Sequence, residues 1–385
     1  MVRHSSRIEL SLGALAANLR FLDILTGSKC EVVLVVKANA YGHGVTEIVP
    51  MAEKAGVRRF AAASCHEAQL VSEVCSEKAV IIIMGILYDE DLAWVIENGI
   101  EFYVFDIVRL RKAAEVARSI GGIASIHLEV ETGGNRTGLD RSDLTEALRI
   151  LRENPRHLRF AGLCSHLAGA ETLAATFRIR KQIEQFEAIR KRVQKGRMRP
   201  EKIHLASSAA AITIPEVAYD LVRIGTAAYG IWPSPDVQNL YLTRTTGRNA
   251  NPLSRVMCWK TDVMHTKKVA KDEFIGYGTS FQAPREMRIA VMPLGYANGY
   301  PREMSNRGHV LIRGRKAPVV GSVNMNMFIV DITHIPGVRV GDEVVLIGRQ
   351  KSNVISLRSF SEFSSALNNE FVSRLPAAIP RQVVR

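Results

Sequence analysis

Eight short runs rich in β-branched residues recur between residues 30 and 225, and longer amphipathic stretches separate them. Such alternation is typical of parallel strands joined by crossover helices. The predicted strands are Val32–Val36, Arg59–Ala62, Ala79–Met84, Glu101–Phe105, Ile123–Val130, Leu158–Leu163, Lys202–Leu205 and Asp220–Arg223. Eight parallel strands with intervening helices in about 200 residues favour an α/β barrel of the (β/α)8 type.

The pattern changes after residue 245, where β-rich segments and glycine-marked turns replace the alternation. Strands are predicted at Arg288–Leu294, His309–Arg313, Ala317–Val323, Phe328–Ile332 and Glu343–Ile347, before a last helix at Ser356–Leu367. This favours a mostly antiparallel, β-rich C-terminal domain. The polar stretch Leu240–Leu253 is the best linker candidate. We therefore expect a barrel domain over residues 11–243 and a β-rich domain over residues 244–385.

The composition favours a soluble globular protein, with 47% of the 385 residues hydrophobic and 23% charged. The longest apolar run, Ala79–Tyr88, is shorter than the roughly 18 to 20 residues that cross a bilayer, so no membrane span is predicted. The N-terminus has basic residues without the apolar segment of a signal peptide, which predicts a cytoplasmic protein. Five cysteines without a C-x-x-C motif indicate thiols in a reducing compartment, and no metal site is predicted.

The net charge of +13, from 51 basic and 38 acidic residues, raises the hypothesis of nucleic-acid binding. However, the basic residues are spread along the chain in short groups, and no nucleic-acid-binding motif accompanies them. We therefore expect no nucleic-acid partner. The charge excess instead suits an anionic cofactor or substrate.

Polar and charged residues follow the predicted barrel strands, at the end of the barrel where active sites of this fold are built. They are Lys37 after the first strand, Arg136 after the fifth, His166 after the sixth, His204–Ser208 at the seventh, and Arg223 with Gly225 at the eighth. The loops after the last two strands contain short donors suited to a phosphate: Ser207, Ser208, Gly225 and Thr226. A phosphate site together with a reactive lysine points to pyridoxal phosphate (PLP).

Each of these residues also has an interpretation without catalysis. A lysine at a strand end is more often a solvated charge, and Arg223 suits a salt bridge at the rim. His43 suits a loop hydrogen bond, and His127, within an apolar strand, suits a satisfied core position. The spacing of Met325 and Met327 is that of core packing.

Five segments together resemble the alanine racemase family, in the family's order and over nearly the whole chain. They are Val36–Gly44, His204–Ala210, Val222–Gly225, Gly276–Gly278 and Pro293–Gly299. The resemblance implies a barrel followed by a β domain, with residues 1–10 pairing into the β domain. It also implies a homodimer acting on a small amino acid.

By this resemblance, Lys37 binds PLP covalently and is one of two catalytic bases. Tyr277 is the other base and reaches the site from a second subunit. Racemisation removes the α-proton on one face and returns a proton on the other, so two bases suit the reaction. A free tyrosine has a pKa of about 10, so Tyr277 needs help, to which His166 or His204 contributes by hydrogen bonds.

The remaining roles also follow from the resemblance. Arg223 faces the pyridine nitrogen of PLP and, being always protonated, leaves that nitrogen without a proton. The other residues are assigned as follows: Tyr41, Ser208, Gly225 and Thr226 to the phosphate, His166 and His204 to the cofactor, Arg136 and the Met325 backbone to the substrate carboxylate, and Tyr296 to a gate.

The chain departs from the family pattern near the substrate. Glu129 stands where many members have a carbamylated lysine, and it keeps an anion beside Arg136. The other replacements are Ser207 for asparagine, Asn324 and Asn326 for cysteine and aspartate, and Asn369 for a phosphate-binding tyrosine. Loss of the aromatic ring at Asn369 predicts room for more than a methyl group, unless Phe371 refills the space.

The sequence therefore predicts a two-base, PLP-dependent amino-acid racemase with alanine as the default substrate. A broader racemase that accepts serine or larger side chains is the first alternative. A PLP-dependent decarboxylase of basic amino acids resembles this organisation but has a Gly-Gly-Gly loop and a cysteine-aspartate pair that this chain lacks. Non-catalytic PLP-binding proteins resemble the barrel alone.

Overall fold

The computed structural model describes residues 4–27, 29–196, 198–245, 251–361 and 368–385. The chain divides into two compact units. The barrel unit contains residues 15–38 and 48–254, and the second unit contains residues 1–14, 39–47 and 255–385. Within the described ranges, the longest apolar helices fall short of what a bilayer crossing requires.

Strand β1 (Ser6–Ser11) precedes the barrel in the chain. The barrel itself is closed by eight parallel strands in sequence order. These are β2 (Glu31–Val35), β3 (Arg59–Ser64), β4 (Val80–Ile86), β5 (Glu101–Val104), β6 (Ala124–Glu129), β7 (Leu158–Cys164), β8 (Lys202–Ser207) and β9 (Leu221–Ile224). All eight predicted strands are confirmed in order, because β-branched and small apolar residues fill their buried positions.

Helices alternate with these strands. They are α1 (Leu12–Thr26), α2 (Lys37–Tyr41), α3 (Val45–Lys54), α4 (Cys65–Ser72), α5 (Leu92–Glu97), α6 (Ile107–Ile120), α7 (Arg141–Glu153), α8 (Thr176–Lys195), α9 (Ser208–Thr213) and α10 (Pro235–Arg244). Helix α10 corrects the predicted linker, whose first residues are helical. Ser234 caps this helix by accepting from the Val237 N–H, and Pro235 suits its first turn.

The second unit is built on two antiparallel sheets with one parallel pair. Its further strands are β10 (Met257–Asp262), β11 (His265–Val269), β12 (Met287–Met292), β13 (His309–Ile312), β14 (Arg315–Pro318), β15 (Phe328–Asp331), β16 (Glu343–Gln350), β17 (Asn353–Ile355) and β18 (Arg381–Val384). The larger sheet has the order β14-β13-β16-β10-β1-β18 with β17 on β16, and the smaller one β11-β12-β15. Strand β1 is antiparallel to β10, with Ile8 opposite Trp259, and parallel to β18.

The β-rich C-terminal domain is confirmed, but some of its predicted elements were wrong. The strand predicted at Ala317–Val323 ends at Pro318. Beyond it, Val319 forms only an isolated bridge with Val330, and Gly321 turns the chain with a φ of +78°. Strands β10, β11, β17 and β18 were missed. Strand β11 is largely polar and exposed, so it lacks the alternation that marks a strand. Of the helix predicted at Ser356–Leu367, α11 (Arg358–Ser361) is present, and residues 362–367 lie outside the described part. A short helix α12 (Asn368–Ser373) follows.

Candidate active site

Lys37 lies one residue beyond the end of strand β2 and begins α2, at the carboxyl end of the barrel. The peptide after it is held by Glu67 of α4, whose Oε1 accepts from the Ala38 N–H at 2.7 Å. The other oxygen of Glu67 accepts from the Ala63 N–H at 2.7 Å, at the end of β3. Glu67 therefore ties Lys37 to the neighbouring strand. Sequence reasoning missed this role, although Ser64 and Glu67 have the spacing of a helix N-terminus.

The residues after Lys37 form a left-handed turn. From Ala38 to Tyr41 the φ angles are 52°, 53°, 51° and 52°. For residues other than glycine this conformation costs roughly 1–2 kcal/mol each. Contacts within the second unit hold residues 39–44 in place: the Arg381 guanidinium donates to the Gly42 carbonyl at 2.9 Å. A side chain at Gly42 would come within 1.8 Å of the Val372 carbonyl oxygen, so this position requires glycine.

Three cations converge on His166 in the barrel unit. Burial and the charges of Arg223, Arg136 and Lys37 lower the pKa of His166 to about 3. The imidazole is therefore neutral at neutral pH. The pKa of Lys37 is also lowered, first by desolvation at the concave barrel mouth and then by Arg136, although the residue retains solvent access. A lowered pKa makes the lysine amine a better nucleophile and base.

Arg223 lies almost fully buried on β9. Its Nη1 donates to His204 Nδ1 at 2.6 Å, and its Nη2 donates to the carbonyl oxygens of Ser165 at 2.7 Å and Leu205 at 3.0 Å. Burial and then the charge of Arg223 lower the pKa of His204 well below its ordinary value. The guanidinium is thus fixed by neighbours that can only accept a hydrogen bond from it.

The predicted phosphate residues lie together at the ends of β8 and β9. Ser208 Oγ accepts from the Gly225 N–H at 3.0 Å, which joins the two loops. Ser207 Oγ is buried and has no hydrogen-bond partner among the residues that the structure describes. Thr226 follows Gly225 and is partly buried. The end of the barrel therefore offers an unsatisfied hydroxyl beside a fixed backbone turn.

Glu129 and Arg136 line a small cavity with His166 and Ser165. Burial raises the pKa of Glu129, while Thr137, Arg223 and Arg136 act in the opposite direction. Arg136 is exposed at this cavity. The two side chains therefore line the same cavity, and the expected role of Glu129 as an anion beside Arg136 stays a prediction.

The second unit has a cleft lined by Tyr277, Tyr296 and Met325. Tyr277 is 79% exposed, between two glycines with positive φ. The Tyr296 N–H donates to the Asn324 carbonyl at 3.0 Å, and the Ala297 N–H donates to the Met325 carbonyl at 3.0 Å. Gly295 permits this approach, because a side chain there would come within 1.9 Å of the Asn324 oxygen.

The remaining predicted residues divide between the units. Tyr41 ends the left-handed turn and belongs to the second unit, whereas Lys37 belongs to the barrel unit. Met325 and Met327 were expected in the core as an alternative, but both are substantially exposed. His43 and His127 have the hydrogen bonds expected of structural residues, to the carbonyl oxygens of Ala40 and Tyr41 and to two side chains of the barrel core.

The chain has a closed barrel, a lysine after the first barrel strand and a following β domain. These features define a class of two-domain barrel proteins, and comparison with family models shows which family within it. The model of the alanine racemase N-terminal domain matches residues 10–233, and that of the C-terminal domain matches residues 256–383. The chain belongs to the alanine racemase family.

Individual relatives agree with this assignment. An alanine racemase of Symbiobacterium thermophilum is 34% identical over 377 residues, which cover 97% of this chain and 95% of the relative. The alanine racemase structure from Bacillus anthracis has a TM-score of 0.89 at 28% identity, covering 100% of this chain and 96% of that one.

Two further structures bear on cofactor and substrate. An alanine racemase from Bartonella henselae with covalently bound pyridoxal phosphate has a TM-score of 0.84 at 26% identity, covering 99% of this chain and 100% of that one. A histidine racemase from Leuconostoc mesenteroides subsp. sake has a TM-score of 0.89 at 26% identity, covering 100% and 99%.

Proposed function

We propose that this protein is a PLP-dependent racemase that interconverts L- and D-amino acids, with alanine as the default substrate. The observation that carries the proposal is the position of Lys37, which has a lowered pKa and shares the barrel mouth with His166, Arg136 and Arg223. A neutral lysine amine can attach to an aldehyde and can accept a proton.

The residues of this chain fit PLP. The buried Ser207 hydroxyl, unsatisfied within the described residues, suits a phosphate oxygen, and Ser208 fixes the Gly225 turn beside it. Ser208, Gly225, Thr226 and Tyr41 are the proposed phosphate-binding residues. Arg223 would be the residue that faces the pyridine nitrogen, and its hydrogen bonds to His204 and two carbonyl oxygens hold the guanidinium in place. When bound, PLP supplies the electron sink that weakens the substrate's Cα–H bond.

Lys37 Nζ is proposed to take or return the α-proton on one face, and the Tyr277 hydroxyl on the other. The exposure of Tyr277 supports a role toward another subunit of a homodimer, because a base left in water is poorly placed for catalysis. In this proposal, Arg136 and the Met325 backbone bind the substrate carboxylate, and Tyr296 controls access to the cleft. The proposed location of the protein is the cytoplasm.

A chiral assay of the purified protein with added PLP, against the L-amino acids in turn, tests reaction and substrate together. Borohydride reduction followed by peptide mass spectrometry locates the attachment. Reduced PLP is expected on Lys37, and Lys37→Ala should lose both the visible absorption band and the activity. Lys202→Ala is the matched control, since Lys202 pairs with Glu31 at the amino end of the barrel. Reduced PLP on another lysine would overturn the assignment.

A broader racemase is the second candidate. Asn324 and Asn326 line the cleft beside Met325, and their amides can hydrogen-bond a polar substrate side chain. The similarity to a histidine racemase points the same way. In the same assay, turnover of serine or histidine at an efficiency comparable to alanine supports this candidate. Release of carbon dioxide would instead favour the decarboxylase alternative. PLP binding without turnover would favour a non-catalytic PLP-binding protein.

A further inference from the structure

A line of buried polar side chains runs along the interior of the barrel unit, away from Arg223. Beyond His204, the line continues through His127 and ends at Glu101. His127 Nδ1 lies 2.8 Å from His204 Nε2, and His127 Nε2 lies 2.7 Å from Glu101 Oε2. All four side chains are buried, and both histidines are 0% exposed. None of the proposed catalytic roles uses His127 or Glu101.

The two ends of this line have fixed hydrogen-bonding properties. Arg223 can only donate. Glu101 is an ionised acceptor: burial opposes its charge, but its contacts with His127 and the positive charges of Arg59 and Arg159 outweigh burial and lower its pKa. Arg159 Nη2 lies 2.6 Å from Glu101 Oε1.

Only one proton arrangement satisfies all three hydrogen bonds. His127 Nε2–H donates to Glu101, which leaves a lone pair on Nδ1 to accept from the next residue in the line. His204 Nε2–H then donates to His127, and His204 Nδ1 accepts from Arg223. A proton on His127 Nδ1 would place the His204 proton on Nδ1, directly facing the Arg223 donor 2.6 Å away.

The backbone is shaped to accommodate this line. The pairing of β6 with β7 shifts register between Ile126 and His127, which places His127 opposite Gly162. A Cβ atom at Gly162 would lie 2.0 Å from His127 Nδ1. The histidine ring therefore occupies space that only a glycine leaves, beside the very atom that accepts from His204.

We propose that Glu101 is a positioning residue for Arg223, acting through His127 and His204 to keep the lone pair of His204 Nδ1 directed at the guanidinium. The carboxylate lies at the amino end of β5 and acts on a residue near the carboxyl end of β9. The consequence for catalysis rests on the proposed function, in which Arg223 faces the PLP pyridine nitrogen. The proton arrangement itself does not depend on it.

The first test is nitrogen NMR of the ten histidines in protein labelled with 15N-histidine, before and after addition of PLP. His127→Asn and His204→Asn assign the signals. In the wild type, both histidines are expected in one neutral tautomer with the proton on Nε2. A proton on His204 Nδ1, or a doubly protonated His204, overturns the proposal.

The second test removes the acceptor with Glu101→Leu. Without the carboxylate, Arg223 alone favours this arrangement and the His127 Nε2–H has no acceptor, so His204 should also populate the tautomer with its proton on Nδ1 to a measurable extent. With PLP bound, the visible absorption band should shift, and kcat should fall at least about tenfold, the effect expected from losing a hydrogen bond to a charged group. A single unchanged tautomer in Glu101→Leu overturns the proposal.

Glu31→Leu is the matched control. Glu31 also pairs with Arg59, at 2.7 Å, at the same end of the barrel, and contacts Lys202 instead of a histidine. Glu31→Leu should leave the tautomers, the visible absorption band and kcat unchanged, and an effect equal to that of Glu101→Leu would overturn the proposal.

If Glu101→Leu does not fold, His127→Phe is the second variant. It breaks the line while leaving Glu101 with its arginines, and an unperturbed His204 tautomer would again overturn the proposal. If the histidines have the expected tautomers but the protein neither binds PLP nor racemises amino acids, the proposed function is refuted and the proposed proton arrangement is not.

Discussion

Arg223 in the barrel unit and Tyr277 in the second unit are both proposed to serve one reaction, but their surroundings differ. Arg223 is 7% exposed and donates three hydrogen bonds to buried acceptors, whereas Tyr277 is 79% exposed. The barrel unit therefore holds the Arg223 side chain in place by its own contacts. Tyr277, by contrast, lies on an exposed cleft of the second unit.

Removing the Tyr277 hydroxyl should have the largest effect. General acid-base catalysis contributes about 10²–10⁴-fold to rate, so Tyr277→Phe should lower kcat by that order, with the L-face proton transfer affected most. In mixed dimers of Lys37→Ala and Tyr277→Phe chains, sharing of sites between subunits predicts partial recovery, because one site regains both bases. Racemisation and α-proton exchange rates measure this.

The exposed Tyr88 of the barrel unit provides a control, since Tyr88→Phe should leave activity at the wild-type level. If mixed dimers show no recovery above either parent, each chain builds its own site. Full activity at a monomeric mass would contradict the dimer.

Gly162→Ala tests the tight packing of the barrel interior. Because the added Cβ would lie 2.0 Å from His127 Nδ1, we expect a loss of about 1–3 kcal/mol in the free energy of unfolding. Gly13→Ala is the control, as an exposed position in α1 with open space around it, and should be neutral or slightly stabilising. Urea unfolding curves decide, and equal stability of the two variants would mean that the barrel interior relaxes easily.

The pH dependence of stability offers a smaller effect. The folded pKa of His166 is about 3, below the ordinary value of about 6.5. As pH falls from about 6.5 toward 3, the unfolded chain takes up a proton that the folded chain does not, so stability is lost in this window. His166→Gln should lose less stability than the wild type between pH 7 and pH 4.5. Parallel losses of stability in the two proteins would show that burial and the three cations do not hold His166 neutral.

Asn369→Tyr should change the preference between substrates, because one methylene in a pocket changes specificity by about 1–3 kcal/mol. Phe371 stacks on Phe360 at 4.5 Å within the second unit, which argues against its filling space left at Asn369. We expect the wild type to accept serine as well as alanine, and Asn369→Tyr to lower the ratio of kcat/KM for serine to that for alanine. Strong rejection of serine by the wild type, with no change in the variant, would exclude Asn369 as a specificity determinant.

Local sequence patterns were sufficient for much of the fold. The barrel strands were predictable because buried parallel strands are apolar runs between amphipathic helices. The second unit was less predictable: polar β11 lacks this signal, and β18 pairs with β1 from the opposite end of the chain. In the barrel, Lys37 and Arg223 could be predicted to lie at the same end. Lys37 comes after β2, Arg223 lies in β9, and all parallel strands of a barrel have their carboxyl ends on one side.

Short-range patterns are enough to predict the order of the barrel strands and the end of the barrel at which four side chains lie: Lys37, Arg136, His166 and Arg223. How these side chains are held depends on contacts between residues far apart in the chain. Glu101, His127, His204 and Arg223 come from four different strands, and their contacts depend on a register shift and on the space left at Gly162. A pattern that spans a few neighbouring residues contains no information about which side chains meet across a closed barrel, so the protonation of His204 could be inferred only from the packed structure.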